Sequence, residues 1–286
     1  MKILYQGTAA AEGIPALFCE CEACRHARAV GGHEIRMRSG ALVDGVLKLD
    51  FGPDSYRQEL DAHLDYSHLK SVLITHSHED HLSAHELALR REVYAYVYGE
   101  DNVMTVYGNA RTGDLLAKYL NPLLEYRQVF PFETFETAEG YRVTPLDAVH
   151  CVWDQGGMYP LTYKGKKYFR SEQALFYLIE KDDKRLLYGH DTSEFTSEDM
   201  EFLAGKHLDL VSLDCTNGAL VNKWVGHMGC ENDLNMRRAL TENGAADGRT
   251  VFVANHFSHN GVRPEAEMQQ LLPGFIIAYD GLEIEF

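Results

Sequence analysis

The chain has 286 residues, 45% of them hydrophobic and 24% charged, the make-up of a globular enzyme slightly longer than one hydrophobic core usually supports. Its 27 basic and 43 acidic residues leave a formal charge of −16, which argues against nucleic acid as a substrate and for a small molecule. No run of about eighteen apolar residues could span a membrane, the N-terminus lacks the apolar core of a signal peptide, and six unevenly spaced cysteines do not form a secreted disulfide framework; a cytoplasmic enzyme with reduced thiols is expected.

Residues 2–5 read as a first strand. The small-residue loop 7–13 after it lacks the Walker lysine and the G-x-G-x-x-G spacing, so it is expected to be a tight turn rather than a phosphate cradle. Cys19, Cys21 and Cys24 follow as C-x-C-x-x-C. Three thiolates can close on one zinc only if a fourth ligand arrives from elsewhere; unpaired, partly buried cysteines are the alternative. Pro15 and the short spacing predict a loop pinned by metal rather than a helix. Beyond the basic stretch 25–38, residues 39–52 read as a hairpin around Asp44-Gly45 that ends in Asp50-Phe51-Gly52. Asp50 could orient a ligand histidine or cap the turn.

A helix is expected over 55–68 and a strand over 71–75, feeding Thr75-His76-Ser77-His78-Glu79-Asp80-His81. Imidazoles and carboxylates at this density suit Zn, Mn or Fe. In extended backbone His76 and His78 share a face and can grip one ion. A turn into a helix, expected over 80–91, would carry Asp80 and His81 to a second ion. His85, one turn further, reads as an exposed helical histidine. Residues 93–107 are β-rich, 112–120 helical up to Pro122, and 141–150 a strand ending in His150, where a third ligand for the first ion would sit.

Segment 151–172 contains Gly156-Gly157, Lys164-Gly165-Lys166-Lys167 and several aromatics including Trp153, and reads as an inserted loop or hairpin. It is either a lid offering positive charge to an anionic substrate or a solvated tip. A second hairpin, 174–180 with 185–188, ends at Gly189-His190-Asp191, with Asp191 a candidate bridging ligand and His190 structural. A helix over 197–204, a strand over 208–215 closing on Asp214, a helix over 231–242 after the glycine-bracketed His227, and a strand over 250–259 with His256 and His259 complete the pattern. The C-terminal residues 275–286 read as a hairpin around Asp280-Gly281.

H-x-H-x-D-H, with a later histidine, aspartate and histidine each closing a strand, resembles the metallo-β-lactamase superfamily over essentially the whole chain. The resemblance implies an α+β fold, a four-layer αββα sandwich, here a single domain over 1–286. It implies that His76, His78 and His150 hold one divalent ion and Asp80, His81 and His256 a second, with Asp191 bridging and Mn, Zn or Fe as the metals. A closer resemblance is to the PhnP-like phosphoribosyl cyclic phosphodiesterases. It rests on Gly7-Thr8 through Ile14-Pro15, the three cysteines, Ser39-Gly40, Leu213-Asp214-Cys215, His227 with Asp233-Leu234-Asn235, His256-Phe257-Ser258-His259 and Tyr279-Asp280-Gly281-Leu282. It implies that Cys19, Cys21, Cys24 and His259 bind a structural zinc. Three departures bear on the substrate: the 151–172 insert, Cys151 after His150, and Gly189-His190 before Asp191, the last two where serine is usual.

The reaction these resemblances imply is hydrolysis of a small cyclic phosphodiester by an activated hydroxide. Asp80 would help orient the nucleophile and His227 would act as general acid, because imidazole titrates near neutrality. A lactonase or thioesterase of the same fold, and a non-catalytic metal-binding accessory protein, are the competing readings. Expected partners are a small anionic substrate and a homodimer, with no nucleic acid and no membrane.

Overall fold

The run 175–179 is apolar at every position, and its strand is buried on both faces. Such a strand belongs inside a layered sandwich rather than at a surface. The computed structural model describes residues 1–99, 102–153, 158–220 and 225–286. In it, Leu175, Tyr177 and Ile179 face a core between two sheets, and Phe176 and Leu178 face a core beneath helices.

One seven-stranded sheet runs in the order β17 (Glu283–Glu285), β1 (Lys2–Gly7), β2 (Gly40–Val43), β3 (Leu47–Leu49), β4 (Ser71–Leu73), β5 (Met104–Gly108), β6 (Leu124–Gln128). The other runs β16 (Ile276–Ile277), β15 (Val251–Asn255), β14 (Leu210–Asp214), β13 (Lys184–Gly189), β12 (Leu175–Lys181), β8 (Arg142–Asp147), β7 (Phe135–Glu136). Tyr5, Leu49 and Leu73 of the first meet Val143, Tyr177 and Tyr188 of the second in the central core. On the first sheet's outer face Val72 and Val106 pack with Leu87 of α3 (Ala84–Leu87) and Leu116 of α4 (Ala110–Leu116), while α2 (Ser55–Asp61) follows β3. On the second, Leu178, Val211 and Phe252 pack with α1 (Glu22–Val30), α5 (Ser197–Leu203), α6 (Cys230–Glu242) and α7 (Glu265–Leu271). The result is the expected helix–sheet–sheet–helix sandwich. No described helix is long and apolar enough to cross a membrane.

Strands β3 to β6 are parallel, as are β13 to β16. The loops leaving the C-terminal ends of β3, β4, β13 and β15 therefore collect at one edge of the sandwich, and Asp214, the last residue of β14, reaches the same edge. Ligand chemistry in α/β sheets concentrates at such ends.

Several local expectations need correction. Cys24 lies in a helix: α1 begins at Glu22, with Cys21 as its N-cap accepting from the Cys24 amide, so only Cys19 and Cys21 are in the loop. The helix expected over 80–91 shrinks to α3, because 78–83 is taken up by a turn zipped to 51 through Phe51 N–His81 O and Ser83 N–Phe51 O. The helix at 55–68 stops at Asp61, with a separate 3-10 turn at Tyr66–His68. Among the described residues of the β-rich stretch 93–107 only those of β5 form a strand, and Val93, Tyr94, Tyr96 and Tyr98 are exposed. The terminal hairpin does not form: β16 pairs with β15 and β17 with β1, so Asp280-Gly281 carries the chain from one sheet to the other.

Segment 151–172 is a small antiparallel sheet of its own, β10 (Tyr159–Tyr163), β11 (Lys166–Arg170) and β9 (Val152–Trp153). Gly156-Gly157 lie outside the described residues, as does the Trp153 side chain.

Candidate metal centre

Loop 75–81 leaves β4 and is gripped from β3. Thr75 donates its amide to Asp50 Oδ1 at 2.8 Å, and His81 donates Nδ1 to Asp50 Oδ2 at 2.7 Å. Of the two readings of Asp50, orientation of a histidine is the one the structure shows. Gly52 must be glycine for the same reason: a Cβ there would stand 1.9 Å from the Asp80 carbonyl oxygen.

Four of the rings, His76, His81, His150 and His256, are tied at Nδ1 and turn Nε2 inward. His150 donates Nδ1 to the Gly226 carbonyl at 2.9 Å, and His256 donates Nδ1 to Thr216 Oγ1 at 2.7 Å. His76 Nδ1 lies 3.0 Å from Thr75 Oγ1. This pattern of outer partners fixes tautomers as metal-binding histidines require.

The inward nitrogens fall into two groups. His150 Nε2 is 3.3 Å from His78 Nδ1, with His76 alongside. His81 Nε2 is 3.3 Å from His256 Nε2 and 3.1 Å from Asp80 Oδ2. Asp191 faces both, with Oδ1 3.7 Å from His150 Nε2 and Oδ2 2.8 Å from His81 Nε2 and 3.0 Å from His256 Nε2. Two nitrogens bound tetrahedrally to one zinc at 2.0–2.1 Å stand about 3.3 Å apart. His76 Nε2 is sealed from water yet makes no hydrogen bond among the described residues. Buried polar atoms without partners are costly, and a cation between the groups is what this donor set fits. Burial pulls the His76 and His150 pKa down, the latter to about 3, so both are neutral and able to ligate.

His227 sits above both groups, its ring centroid 4.8 Å from that of His150 and 5.9 Å from that of His256. It donates Nδ1 to Asp214 Oδ2 at 2.9 Å, and Nε2 takes no hydrogen bond among the described residues. Burial alone would lower its pKa; the charge and hydrogen bond of Asp214 outweigh that and hold it up at about 9.

Two carboxylates without an assigned role in the sequence reading stand beside these groups, Asp214 and Glu172. Asp214 is fully buried and also accepts the amides of Asp191, Thr216 and Met228. Glu172 accepts from Ser77 and Asn109. The sequence signals for Asp214 were its place at a strand end and the Leu213-Asp214-Cys215 match; Glu172, at the foot of the insert, had none.

At the cysteine cluster, His259 Nδ1 lies 3.5 Å from Cys19 Sγ and 3.3 Å from Cys21 Sγ, and all four ligand atoms, Cys24 included, lie within 4.8 Å of one another. Sulfur and nitrogen on one tetrahedral zinc stand about 3.5 Å apart. Burial opposes ionisation of Cys21, but the Cys24 amide and His259 bring its thiol down to about 6, while burial pushes Cys24 up to about 11.

Cys151 is buried, with Sγ 3.7 Å from His78 Nε2, and burial pushes its thiol pKa up. His190 is buried against Ser212 Oγ at 2.7 Å, away from the ligand groups, and His85 is exposed beside the Tyr119 hydroxyl. In the insert, Lys164 pairs with Glu194 at 2.8 Å and Arg170 with Asp147 at 2.7 Å, so these two charges are already matched.

The profile of the Beta-lactamase superfamily domain matches residues 46–249. Coenzyme PQQ synthesis protein B of Methylorubrum extorquens (strain PA1) is 24% identical over 315 aligned residues, covering 100% of both chains. Among solved structures, a diphosphatase of the PhnP family superposes with a TM-score of 0.72 at 22% identity, covering 100% of this chain and 96% of that one. Zn(2+)-bound PqqB from Methylobacterium extorquens superposes with a TM-score of 0.71 at 21% identity, covering 100% of both.

Proposed function

The chain belongs to the β-lactamase superfamily, whose fold carries metal-dependent hydrolysis, and from that premise we propose that it is a binuclear metal-dependent phosphodiesterase acting on a small, anionic, cyclic phosphodiester. His76, His78 and His150 would hold one ion, Asp80, His81 and His256 the other, and Asp191 would bridge them. Zinc or manganese suits these ligands, and iron is compatible with them. A divalent pair supplies Lewis acidity there, acidifying water and neutralising charge on the phosphoryl oxygens.

The observation that carries the reading is the His227–Asp214 pair beside the bridged ligand groups. Cleavage of a phosphodiester expels an alkoxide, which leaves readily only if it is met by a proton. With Nδ1 committed to Asp214, Nε2 is the atom of His227 that can deliver one. Asp214 accepts four donors, so it acts as a carboxylate and keeps the ring in that tautomer. The formal charge of −16 supports a small substrate over a nucleic acid. Cysteines 19, 21 and 24 with His259 would hold a structural zinc.

The end-to-end match to Coenzyme PQQ synthesis protein B favours a second reading, a metal-binding accessory protein of cofactor biosynthesis. Incubation of the metal-loaded protein with 1,2- and 2,3-cyclic phosphates separates the two. Multiple turnovers support the hydrolase; stoichiometric binding without turnover supports the accessory role and removes the first.

A further inference from the structure

Loop 75–81 is held from two sides. On one, Asp50 fixes Thr75 and His81. On the other, the Glu172 carboxylate accepts the Ser77 amide at 3.0 Å, the Ser77 hydroxyl at 2.5 Å and Asn109 Nδ2 at 2.6 Å. Glu172 is 4% exposed, and its three partners are all donors, so it binds as a carboxylate. Asn109 is itself fixed: Nδ2 also donates to the Gln173 carbonyl at 2.9 Å, and Oδ1 accepts the Thr112 amide at 3.0 Å. Leu175 N donates to Thr75 O at 2.8 Å, so segment 172–175 runs alongside the start of the loop.

Ser77 is the residue between His76 and His78. Its backbone sets how far apart the two imidazoles stand and which way each points. We propose that Glu172 is the positioning residue for the His76/His78 half of the centre, as Asp50 is for the His81 half. Glu172 also follows Arg170, where the 159–170 hairpin is rooted by its ion pair to Asp147 at 2.7 Å. It borders a cavity of about 450 Å³ walled by Arg111, Gln128 and Tyr159. The insert is thereby joined to the His76–His78 loop by one buried carboxylate, which also borders that cavity.

This inference rests on the metal-centre reading above, and its test needs no substrate to report. Full-length wild type, Glu172→Gln, Ser77→Ala and the double variant are titrated with Zn2+ or Mn2+ alone, and bound ions are counted against free metal. Expected for Glu172→Gln is one of the two catalytic-site ions weakened about 10–100-fold, the range typical of lost outer partners, with the other unchanged. The double variant should be no worse than Glu172→Gln, because the hydroxyl contact that Ser77→Ala removes is one of those the Glu172 change already disturbs. In turnover kcat should fall while KM stays within a few-fold. A wild type that binds two ions at the centre with Glu172→Gln binding them identically overturns this inference alone, even if thermal stability falls. Additive losses in the double variant also overturn it. A wild type that takes up no ions at the centre overturns the metal-centre reading and this inference together.

Discussion

Asp214 holds Nδ1 of His227 at 2.9 Å with the same carboxylate oxygen that accepts the amide of Asp191 at 3.0 Å. One buried side chain thus fixes both the ring of His227, the proposed proton donor, and the backbone of Asp191, the proposed bridging ligand. His227 and Asp191 are placed by a common reference, so neither can drift relative to the other without disturbing Asp214.

If His227 protonates the leaving group, its importance should depend on what leaves. His227→Ala should lower kcat about 10²–10⁴-fold for an alkoxide-leaving cyclic phosphate. For bis(p-nitrophenyl) phosphate, whose phenolate leaves without help, the loss should be about tenfold or less. Metal content measured on both proteins should be equal. Equal losses on both substrates, or loss of metal, would assign His227 another role.

Asp50 is predicted to act through His81. Asp50→Ala frees Nδ1 of that ring and leaves the Thr75 amide unpaired. Affinity for one ion should fall about 10–100-fold, read by metal titration, and zinc in excess should restore part of the activity. Unchanged titration curves would count against it.

The cysteine cluster is predicted to hold a zinc that is structural. Cys24→Ser should lose one ion per chain and lower the melting temperature, because metal binding at such a site is folding free energy. Activity should fall as a consequence, since His259 lies three residues beyond His256 on the same loop. A variant that keeps its full metal content and melting temperature would show that the thiols bind nothing.

Lys48 is buried with one hydrogen bond among the described residues, 3.3 Å from Nζ to the Leu49 carbonyl, and burial pulls its pKa from 10.5 down to about 7. Between those values the unfolded chain binds the extra proton, so this group makes stability rise with pH from about 7 to 10.5, by at most about 1.4 kcal/mol per pH unit. Lys48→Met should remove that slope. It should be more stable than wild type at pH 7, with the gap closing toward pH 10, in urea unfolding of matched samples. Parallel pH profiles would contradict it.

The ligand residues were legible because metal chemistry restricts their types and strand ends restrict their places: H-x-H-x-D-H after an apolar strand leaves few alternatives. The role of Asp214, and Glu172 altogether, were not legible, because a carboxylate that only receives hydrogen bonds looks like any other acidic residue until its donors are in place. Helix lengths failed where tertiary bonds override propensity. Good helix formers fill 80–91, yet the zip between 51 and 81–83 holds the first part as a turn. Gly52 carried no reading of its own in the sequence, and its use is the close approach to the Asp80 carbonyl.

The central claim is catalysis on phosphorus by a two-metal site, and the most direct test is steady-state hydrolysis by the metal-reconstituted protein. The panel comprises cyclic phosphates, bis(p-nitrophenyl) phosphate, lactones and thioesters. The account predicts multiple turnovers on the phosphodiesters, abolished by chelation, restored by Mn2+ or Zn2+, and lost on replacing Asp191 with alanine. Turnover confined to lactones or thioesters, or no turnover on any of these with two ions bound, would contradict it.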